Sequence, residues 1–291
     1  MTDLLQLILS ALSLGSTYAL VALGFVLVLN ATNAVNFAQG EMVVAGGFLA
    51  VALSPLIDLP GVALLPLVML GTAALGLLLS LAAYLPLRTR PPTAVFISTI
   101  AFGIIVQNAV LALSGPEPAT ASALVAAGST RLGEMAIGWQ SLSMIATAAV
   151  LVALMHLLLE RTQLGRRLRA SAQDPEIARA SGIPVVRLIV VAFALAGALA
   201  GAAGLLVANQ FFLSPADGAN YMLKAYIAVV IGGWGRVWGA VLGALLIALF
   251  ESFVASLAGH LAADALLYVA LLAVLLLRPT GILGEAVGRR A

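Results

Sequence analysis

The stretch "LLQLILSALSLGSTYALVALGFVLVL", from Leu4 to Leu29, contains no charged residue. An α-helix rises about 1.5 Å per residue, so a helix of this length can cross the hydrocarbon core of a bilayer, which is about 30 Å thick. Backbone polar groups in that core have no water to bond, so a spanning segment of this kind must be helical. The stretch therefore predicts a transmembrane helix and an all-α fold.

The rest of the chain repeats this pattern, since 63% of the residues are hydrophobic and only 9% are charged. We predict one polytopic transmembrane helical bundle over residues 1–291, with eight to nine spans, one of them short or broken. The short segment "YMLKAYIAVVIGGW" either crosses or re-enters the membrane. The candidate spans are Leu4–Leu29, Glu41–Ile57, Val62–Leu85, Thr93–Leu113, Ser141–Leu159, Leu188–Ala208, Tyr221–Gly233, Val237–Leu257 and Asp264–Leu277.

Several classes of chemistry lack the residues they need. The chain has no cysteine and two histidines, so we expect no disulfide, no metal site and no cofactor. Carboxylate pairs, Ser/His/Asp sets and phosphate-binding glycine loops are not found at catalytic spacing, so we expect no enzyme activity. Any ATP used must be bound by another chain. The basic residues follow membrane topology, which argues against nucleic acid as a partner.

Arginine positions indicate the orientation of the chain. Arg88 and Arg90 are separated from the basic segment 161–187 by two predicted spans, so both groups can be cytoplasmic, as the positive-inside rule requires. The same count places the N-terminus outside. A cytoplasmic C-terminus requires that the short segment crosses and brings Arg236 inside. The arginines that favour this arrangement are Arg278, Arg289 and Arg290.

The segment "RTQLGRRLRASAQDPEIARASGIPVVR", from Arg161 to Arg187, contains a short predicted helix. Asp174 is a suitable N-cap, Pro175 fits the first helical position, and Glu176 complements the positive end of the helix dipole. Gly182 can adopt the left-handed C-cap conformation, and Pro184 stops the helix. A helix of about two turns is marginal in water. The segment is either a solvated linker or a docking element, and the encoded caps favour docking.

The segment "NATNAVNFAQGEMVVAGGF", from Asn30 to Phe48, carries many amide and hydroxyl groups between two apolar spans. These groups could bond the exposed backbone of a re-entrant turn, line the path of a polar solute, or belong to an ordinary interfacial loop. Glu251, within apolar sequence, could equally form an interhelical hydrogen bond. The candidate residues for a solute path are Asn33, Asn36, Gln39, Glu41, Gln107, Asn108 and Glu251.

Two further features concern packing and partners. Glycines recur at small-residue spacing in "GTAALG", "GALAGAAG" and "GAVLGA", a pattern that lets helices approach closely in lipid. The longest polar loop on the predicted outer side covers residues 114–139. It could contact a soluble partner or have no role in recognition.

Four ordered blocks of the sequence resemble the LivH-type permeases of branched-chain amino-acid ABC transporters. "GSTYALVALGFVLVLNATNAVNFAQGEMVVAGGF" is similar to the N-terminal signature of that family, which reads Gly-x-x-Tyr-Ala-Leu, then Ala-Leu-Gly, then Asn-Phe-Ala-His-Gly-Glu. "GRRLRASAQDPEIARASGIPVVRLIVVAFALAGALAGAAGLL", "VVIGGWGRVWGAVLGALLIALFES" and "RPTGILG" resemble its later blocks. The resemblance covers nearly the whole chain.

The resemblance implies a transmembrane subunit of an ABC importer in the bacterial cytoplasmic membrane. Its implied partners are a second, LivM-like permease subunit or a second copy of this chain, cytoplasmic ATPase subunits and an extracytoplasmic solute-binding protein. Segment 161–187 would be the coupling loop, moved as a rigid body when the ATPase pair closes. The residues implied in coupling are Ala172, Asp174, Pro175, Glu176, Ala178, Arg179, Ala180, Gly182 and Ile183.

The sequence departs from the family pattern at Gln39, where the family commonly has His. The solute could therefore be a branched-chain amino acid or, as in relatives of the family, urea, a short amide or an aromatic acid. A different class is a proton-coupled secondary transporter that uses Glu41, Glu251 or Asp264. That class predicts acidic pairs or discontinuous helices in two matching halves, of which the sequence carries only a weak echo. A passive channel is a third possibility.

Overall fold

The structure is a computed structural model that describes residues 2–56, 61–125, 128–132, 135–278 and 280–283. It confirms the all-α bundle. The helices are α1 (Thr2–Thr32), α2 (Gln39–Leu53), α3 (Gly61–Leu79, continued by a π-turn at Ser80–Tyr84 and a 3-10 turn at Leu85–Leu87), α4 (Pro92–Ser114), α5 (Trp139–Arg161), α6 (Gln163–Gln173), α7 (Pro175–Ala180), α8 (Val185–Ala208), α9 (Gly218–Gly232), α10 (Val237–Ala258) and α11 (His260–Leu277).

Within the described ranges, seven helices are long and apolar enough to cross a membrane: α1, α3, α4, α5, α8, α10 and α11. The predicted spans Glu41–Ile57 and Tyr221–Gly233 correspond to α2 and α9, which have 15 residues each. A helix of that length rises only about 22 Å, less than the hydrocarbon core. The sequence predicts one short segment, Tyr221–Gly233, whereas the structure has two short apolar helices, α2 and α9.

Helices α1 and α8 form the centre of the bundle. The apolar window of α1 is 89% buried and that of α8 is 72% buried, whereas that of α11 is 11% buried. The two central helices cross where Gly24 lies against the backbone of Ala196. Around them, α10 packs along α1 and α3 packs along α8. Small residues make these contacts close, as the glycine spacing predicts.

Both short helices begin in the middle of the bundle. The Nε2 atom of Gln39, at the start of α2, donates to the carbonyl oxygen of Ala196 at 3.1 Å, halfway along α8. The next residue, Gly40, lies against the backbone of Gly218, where α9 begins. From this point α2 follows α8 to one end of the bundle and α9 follows α1 to the other. Each short helix therefore covers half of the bundle.

Helices α1–α4 and α8–α11 are two halves of inverted topology. Each half reads long, short, long, long. The two halves run in opposite directions, because α1 ends and α8 begins at the end of the bundle where α6 and α7 lie. Discontinuous helices in inverted repeats are a recurrent design of transport proteins. The weak sequence echo did not reveal this relation, since the two halves share geometry more than residues.

Most of the described arginines lie at one end of the bundle, which we call the basic end; Arg131 lies at the other end. Asn30 at the end of α1 donates to the carbonyl oxygen of Gly235, and Arg236 donates to that of Leu283 beyond α11. Leu168 and Arg169 of segment 161–187 border the same pocket as Arg236, so these two basic regions share one end of the bundle. Arg289 and Arg290 lie outside the described residues.

At the opposite end, the described residues between 115 and 138 form a cover of extended chain. Two short strands, β1 (Ser129–Leu132) and β2 (Met135–Gly138), pair antiparallel. The chain at Ala119 bridges to Leu213 in the α8–α9 connection. Among the described residues these strands depart from the helical fold, and the pairing of Ala119 with Leu213 holds the α8–α9 connection in place.

The glycine contacts predict a selective effect of added side chains. In Gly204→Val, the new Cβ atom would overlap the backbone of Val43 on α2, which cannot move without displacing the whole helix. Overpacking of this kind costs about 1–3 kcal/mol or more. We expect a lower unfolding temperature of the purified protein, measured by tryptophan fluorescence. The matched control is Gly138→Val, whose Cβ atom meets nothing within 4 Å; equal unfolding temperatures would contradict the contact.

Candidate functional site

The amide-rich segment between α1 and α2 is a re-entrant turn that supplies its own hydrogen bonds. Asn33 closes α1 in the left-handed conformation, with φ of 53°. The Oδ1 atom of Asn36 accepts from the backbone N–H of Ala38 at 3.1 Å, and its Nδ2 atom donates to Gln39 at 3.3 Å. Asn36 and Gln39 are both buried. Of the three alternatives left open by the sequence, these two residues fit the first.

Two cavities lie one behind the other between this turn, α4 and α9. The first, of about 560 Å³, opens near the basic end; we call it the basic-end cavity. The second, of about 350 Å³, lies deeper and is called the central cavity. Phe37, Met222 and Leu223 line both and separate them. The basic-end cavity is otherwise lined by Asn33, Ala34, Val35, Pro92, Thr93, Phe96, Tyr226 and Trp234.

Glu41 is the acidic residue of the central cavity. Its carboxylate lies over Gly218, at the start of α9, and its Oε2 atom is buried with no hydrogen-bond partner among the described residues. The N-terminus of α9 offers favourable partial positive charge to this carboxylate. The remaining wall is apolar apart from Gln107, and includes Ile100 and Ile104. The cavity is thus a small apolar chamber with one carboxylate and one amide.

The adjacent residues Gln107 and Asn108 have different surroundings. Gln107 lines the central cavity. Asn108 lies on an exposed face of α4, and its Nδ2 atom donates to the carbonyl oxygen of Ile104 in the preceding turn at 2.8 Å. Among the candidate path residues, the structure therefore brings together Asn33, Glu41 and Gln107, and leaves Asn108 outside.

Glu251 belongs to a separate, buried ionic cluster. Its Oε1 atom accepts from the ammonium of Lys224 at 2.6 Å, and its Oε2 atom accepts from the hydroxyl of Tyr18 at 3.1 Å. Lys224 also lies 3.4 Å from Asp264. The cluster ties α9 to α1, α10 and α11. The pairing could not be predicted from the sequence, because nothing in the pattern identifies Lys224 as the partner of Glu251.

The cluster predicts that Lys224→Met destabilises the fold. The change leaves two carboxylates without their cation, and breaking a buried pair costs about 3–5 kcal/mol. The unfolding temperature should fall, and Lys224→Met combined with Glu251→Gln should recover part of the loss. Glu117→Gln, at an exposed carboxylate, serves as the control. If Glu251→Gln alone abolished uptake with unchanged stability, a role in the solute path would replace this structural one.

The basic segment folds as two consecutive helices at the basic end. α6 buries Gly165 and Leu168 against the bundle and exposes Arg166 and Arg167. Asp174 then caps α7, since its Oδ1 atom accepts from the backbone N–H groups of Glu176 and Ile177 at 2.9 and 3.0 Å. Gly182 adopts φ of 79° and ends the helix. Both predicted caps are present.

α7 divides its side chains between the bundle and the exterior. Ala178 is buried against the chain itself, and Ile183 is half-buried. Ile177, which sequence analysis did not single out, has 66% of its surface exposed. Arg179, Ala180 and Gly182 are also exposed. The outward face of α7 is therefore centred on one large apolar side chain with a basic residue beside it.

Comparisons with known proteins point to one group. A family model described as the permease component of branched-chain amino acid transport systems matches residues 7–276. The chain is 35% identical to BraD of Pseudomonas aeruginosa, a high-affinity branched-chain amino acid transport permease, over 97% of this chain and 96% of BraD. It is 30% identical to LivH of Escherichia coli K12 over the same shares. PsaBC from Streptococcus pneumoniae, solved with a Fab, matches 93% of this chain and 91% of its own at 14% identity, with a TM-score of 0.48.

Proposed function

We propose that the two adjacent cavities are part of the path of a branched-chain amino acid, because the chain belongs to the permease family of branched-chain amino acid transport systems. The residues that line the cavities would form one side of that path. The protein is a multi-pass subunit of the bacterial inner membrane and the permease of an ABC importer. ATP hydrolysis then belongs to ATPase subunits, and delivery of the solute to a binding protein.

The observation that carries this proposal is the composition of the central cavity. The carboxylate of Glu41 can accept hydrogen bonds from the ammonium group of an amino acid, and its buried Oε2 atom has no protein partner among the described residues. Ile100 and Ile104 offer an apolar wall for a branched side chain. Weak, brief contacts of this kind suit a path, in which tight binding would slow release.

The partition between the cavities supports a mechanism of alternating access. Phe37, Met222 and Leu223 separate the central cavity from the basic end, and Phe37 packs edge-on against Phe96 at 4.6 Å between ring centroids. Movement of α9 relative to α4 would open this partition. Both cavities open towards the chain surface, so a second permease subunit, either LivM-like or a second copy, would complete the wall.

Replacing Glu41 tests the path directly. Glu41→Gln keeps the shape of the side chain and removes its charge, and hydrogen bonds to charged groups contribute about 1.5–3 kcal/mol. We expect leucine uptake by the assembled transporter to fall at least about tenfold, at unchanged permease abundance. Asn108→Ala, on the exposed face of α4, should transport normally. The alternative solutes would be favoured by two results together: the wild type takes up no leucine, and its uptake of urea or an uncharged amide is the same in Glu41→Gln.

We also propose that segment 161–187 is cytoplasmic and transmits the motion of the ATPase. Its exposed Ile177 offers an apolar anchor for a groove, and Arg179 and Arg187 could meet acidic groups at its rim. Arg169 of α6 pairs with Glu160 of α5 at 3.1 Å. This ion pair connects the segment to a membrane-spanning helix, so a displacement of the segment would also displace α5. Residues 114–139, at the opposite end, would then face the solute-binding protein.

The C-cap of α7 gives a sharp test of coupling. Gly182→Val meets no neighbouring atom, but a branched residue at positive φ is strained by about 1–2 kcal/mol. We expect less ATPase to co-purify with the variant, and uptake to be lost, while the permease stays folded with its unfolding temperature lowered by only a few degrees. Gly138→Val, equally free of contacts at φ of −67°, is the matched control. Normal uptake together with normal ATPase binding would refute the docking role.

The discontinuous helices are also what a proton-coupled secondary transporter predicts. Two of its three candidate acids, Glu251 and Asp264, lie beside the ammonium of Lys224 and would need to break that contact to carry protons. Family membership favours the ABC importer. A passive channel differs in its need for segment 161–187, because its flux would survive deletion of that segment.

A further inference from the structure

The central cavity contains two polar side chains, and neither makes a hydrogen bond to another described residue. They are Glu41 of α2 and Gln107 of α4. The Oε2 atom of Glu41 is buried as well as unpaired. Unpaired polar groups at this depth are costly, because the hydrocarbon core has no water to replace a missing partner. Two such groups in one cavity therefore indicate a ligand that bonds to both.

The neighbouring amide of Asn108 shows how a polar side chain on α4 can satisfy itself. Its Nδ2 atom donates to the carbonyl oxygen of Ile104 in its own helix, as short polar side chains commonly do. Gln107 makes no bond of this kind and lines the central cavity instead. Its amide is therefore available to a molecule that enters the cavity.

The two polar side chains are separated by about one turn of α4. A Cβ atom added to Gly103 would lie 3.2 Å from the Cγ atom of Glu41, so Gly103 is level with that side chain. Gln107 follows four residues later on the same face of α4, about 6 Å farther along the helix. An α-amino acid carries its ammonium and its carboxylate on one carbon atom, and a charge-assisted hydrogen bond at either end adds about 2.7–2.9 Å. Two flexible side chains one turn apart can therefore reach both groups of one such molecule.

Charge determines which end of the solute each residue takes. The carboxylate of Glu41 attracts an ammonium group and repels a second carboxylate. The solute carboxylate must then lie away from Glu41, where it needs a hydrogen-bond donor. Among the described residues that line this cavity, Gln107 has the one side chain with an N–H donor. Ile100 and Ile104, on the same face of α4, remain for the apolar side chain of the solute.

We infer that Gln107 is a specificity-determining residue, whose Nε2 atom donates to the α-carboxylate of the solute while Glu41 accepts from its ammonium. The inference rests on the proposed function of the central cavity as part of the solute path. Phe96 of α4 lines the basic-end cavity and Gln107 the central one, so a solute that enters from the opposite end meets Gln107 before Glu41. The permease would then select α-amino acids over the corresponding amines and alcohols, which lack the carboxylate.

Protection of an introduced cysteine measures occupancy of the cavity directly. The chain has no cysteine, so Ala219→Cys, at an exposed position that lines the central cavity, creates a single site on this chain. The assembled transporter would be treated with a small maleimide in the absence of binding protein, and modification of this chain followed by mass. The probes are leucine and leucinol, which share the ammonium and the side chain and differ in the carboxylate. Ala216→Cys, exposed and outside the cavity, is the control that neither probe should protect.

Leucine should give half-protection at a concentration about tenfold lower than leucinol, because a hydrogen bond to a charged group is the stronger one. In Gln107→Met the two concentrations should become equal, since leucine loses its advantage. In Gln107→Glu, which keeps the shape and replaces the donor with a carboxylate, leucinol should protect better than leucine. Glu41→Gln should weaken protection by both probes to the same extent, because both carry an ammonium.

The outcomes separate this inference from the proposed path. Equal protection by leucine and leucinol with Gln107 in place, or a preference for leucine that survives Gln107→Met, would overturn the role of Gln107 and leave the path intact. Equal loss of protection by both probes in Gln107→Met would make the residue structural, which also overturns the inference. If neither probe protects Ala219→Cys while Gln107 and Glu41 are unchanged, the central cavity is not part of the path and both proposals fall.

Discussion

The meeting of two helix ends in the middle of the bundle is the constraint on which the rest of the structure depends. Each helix end exposes backbone groups that lipid cannot satisfy, so ends at this depth need partners from within the protein. Asn36 accepts from the backbone N–H of Ala38 at the start of α2, and Gln39 ties this end to the carbonyl oxygen of Ala196 on α8. Asp217, which accepts from the backbone N–H of Ser214 at 2.8 Å, orders the approach to α9. The carboxylate of Glu41 then lies at the positive end of α9.

This arrangement requires backbones that approach one another closely. Gly40 meets the start of α9, and Gly46 and Gly201 bring α2 against α8. Any side chain at these points would separate the helices, so the glycine-rich pattern serves the crossing more than general compactness. The two cavities lie beside the short helices because the ends of these helices leave space that continuous helices would fill.

Local signals in the sequence were sufficient for some features and insufficient for others. The caps of α7 could be predicted, because Asp174 and Gly182 act on residues within one turn, and so could the short segment containing Lys224. The pairing of Lys224 with Glu251 could not, since it joins two helices whose relative rotation is set by packing on α1. The exposed Ile177 was missed for a related reason: the face of a short helix that meets the bundle depends on contacts outside the helix.

Glu41 and Glu251 illustrate how surroundings, more than residue type, assign function in a membrane. In the sequence both residues are acids within apolar segments, so both are candidates for the solute path. Glu251 is held by an ammonium and a hydroxyl, which balance its carboxylate and join α10 to α9 and α1. Glu41 borders a cavity, and one of its oxygens has no partner among the described residues. A solute with a positive group can supply the missing partner for only part of a transport cycle, and a path needs that kind of transient contact.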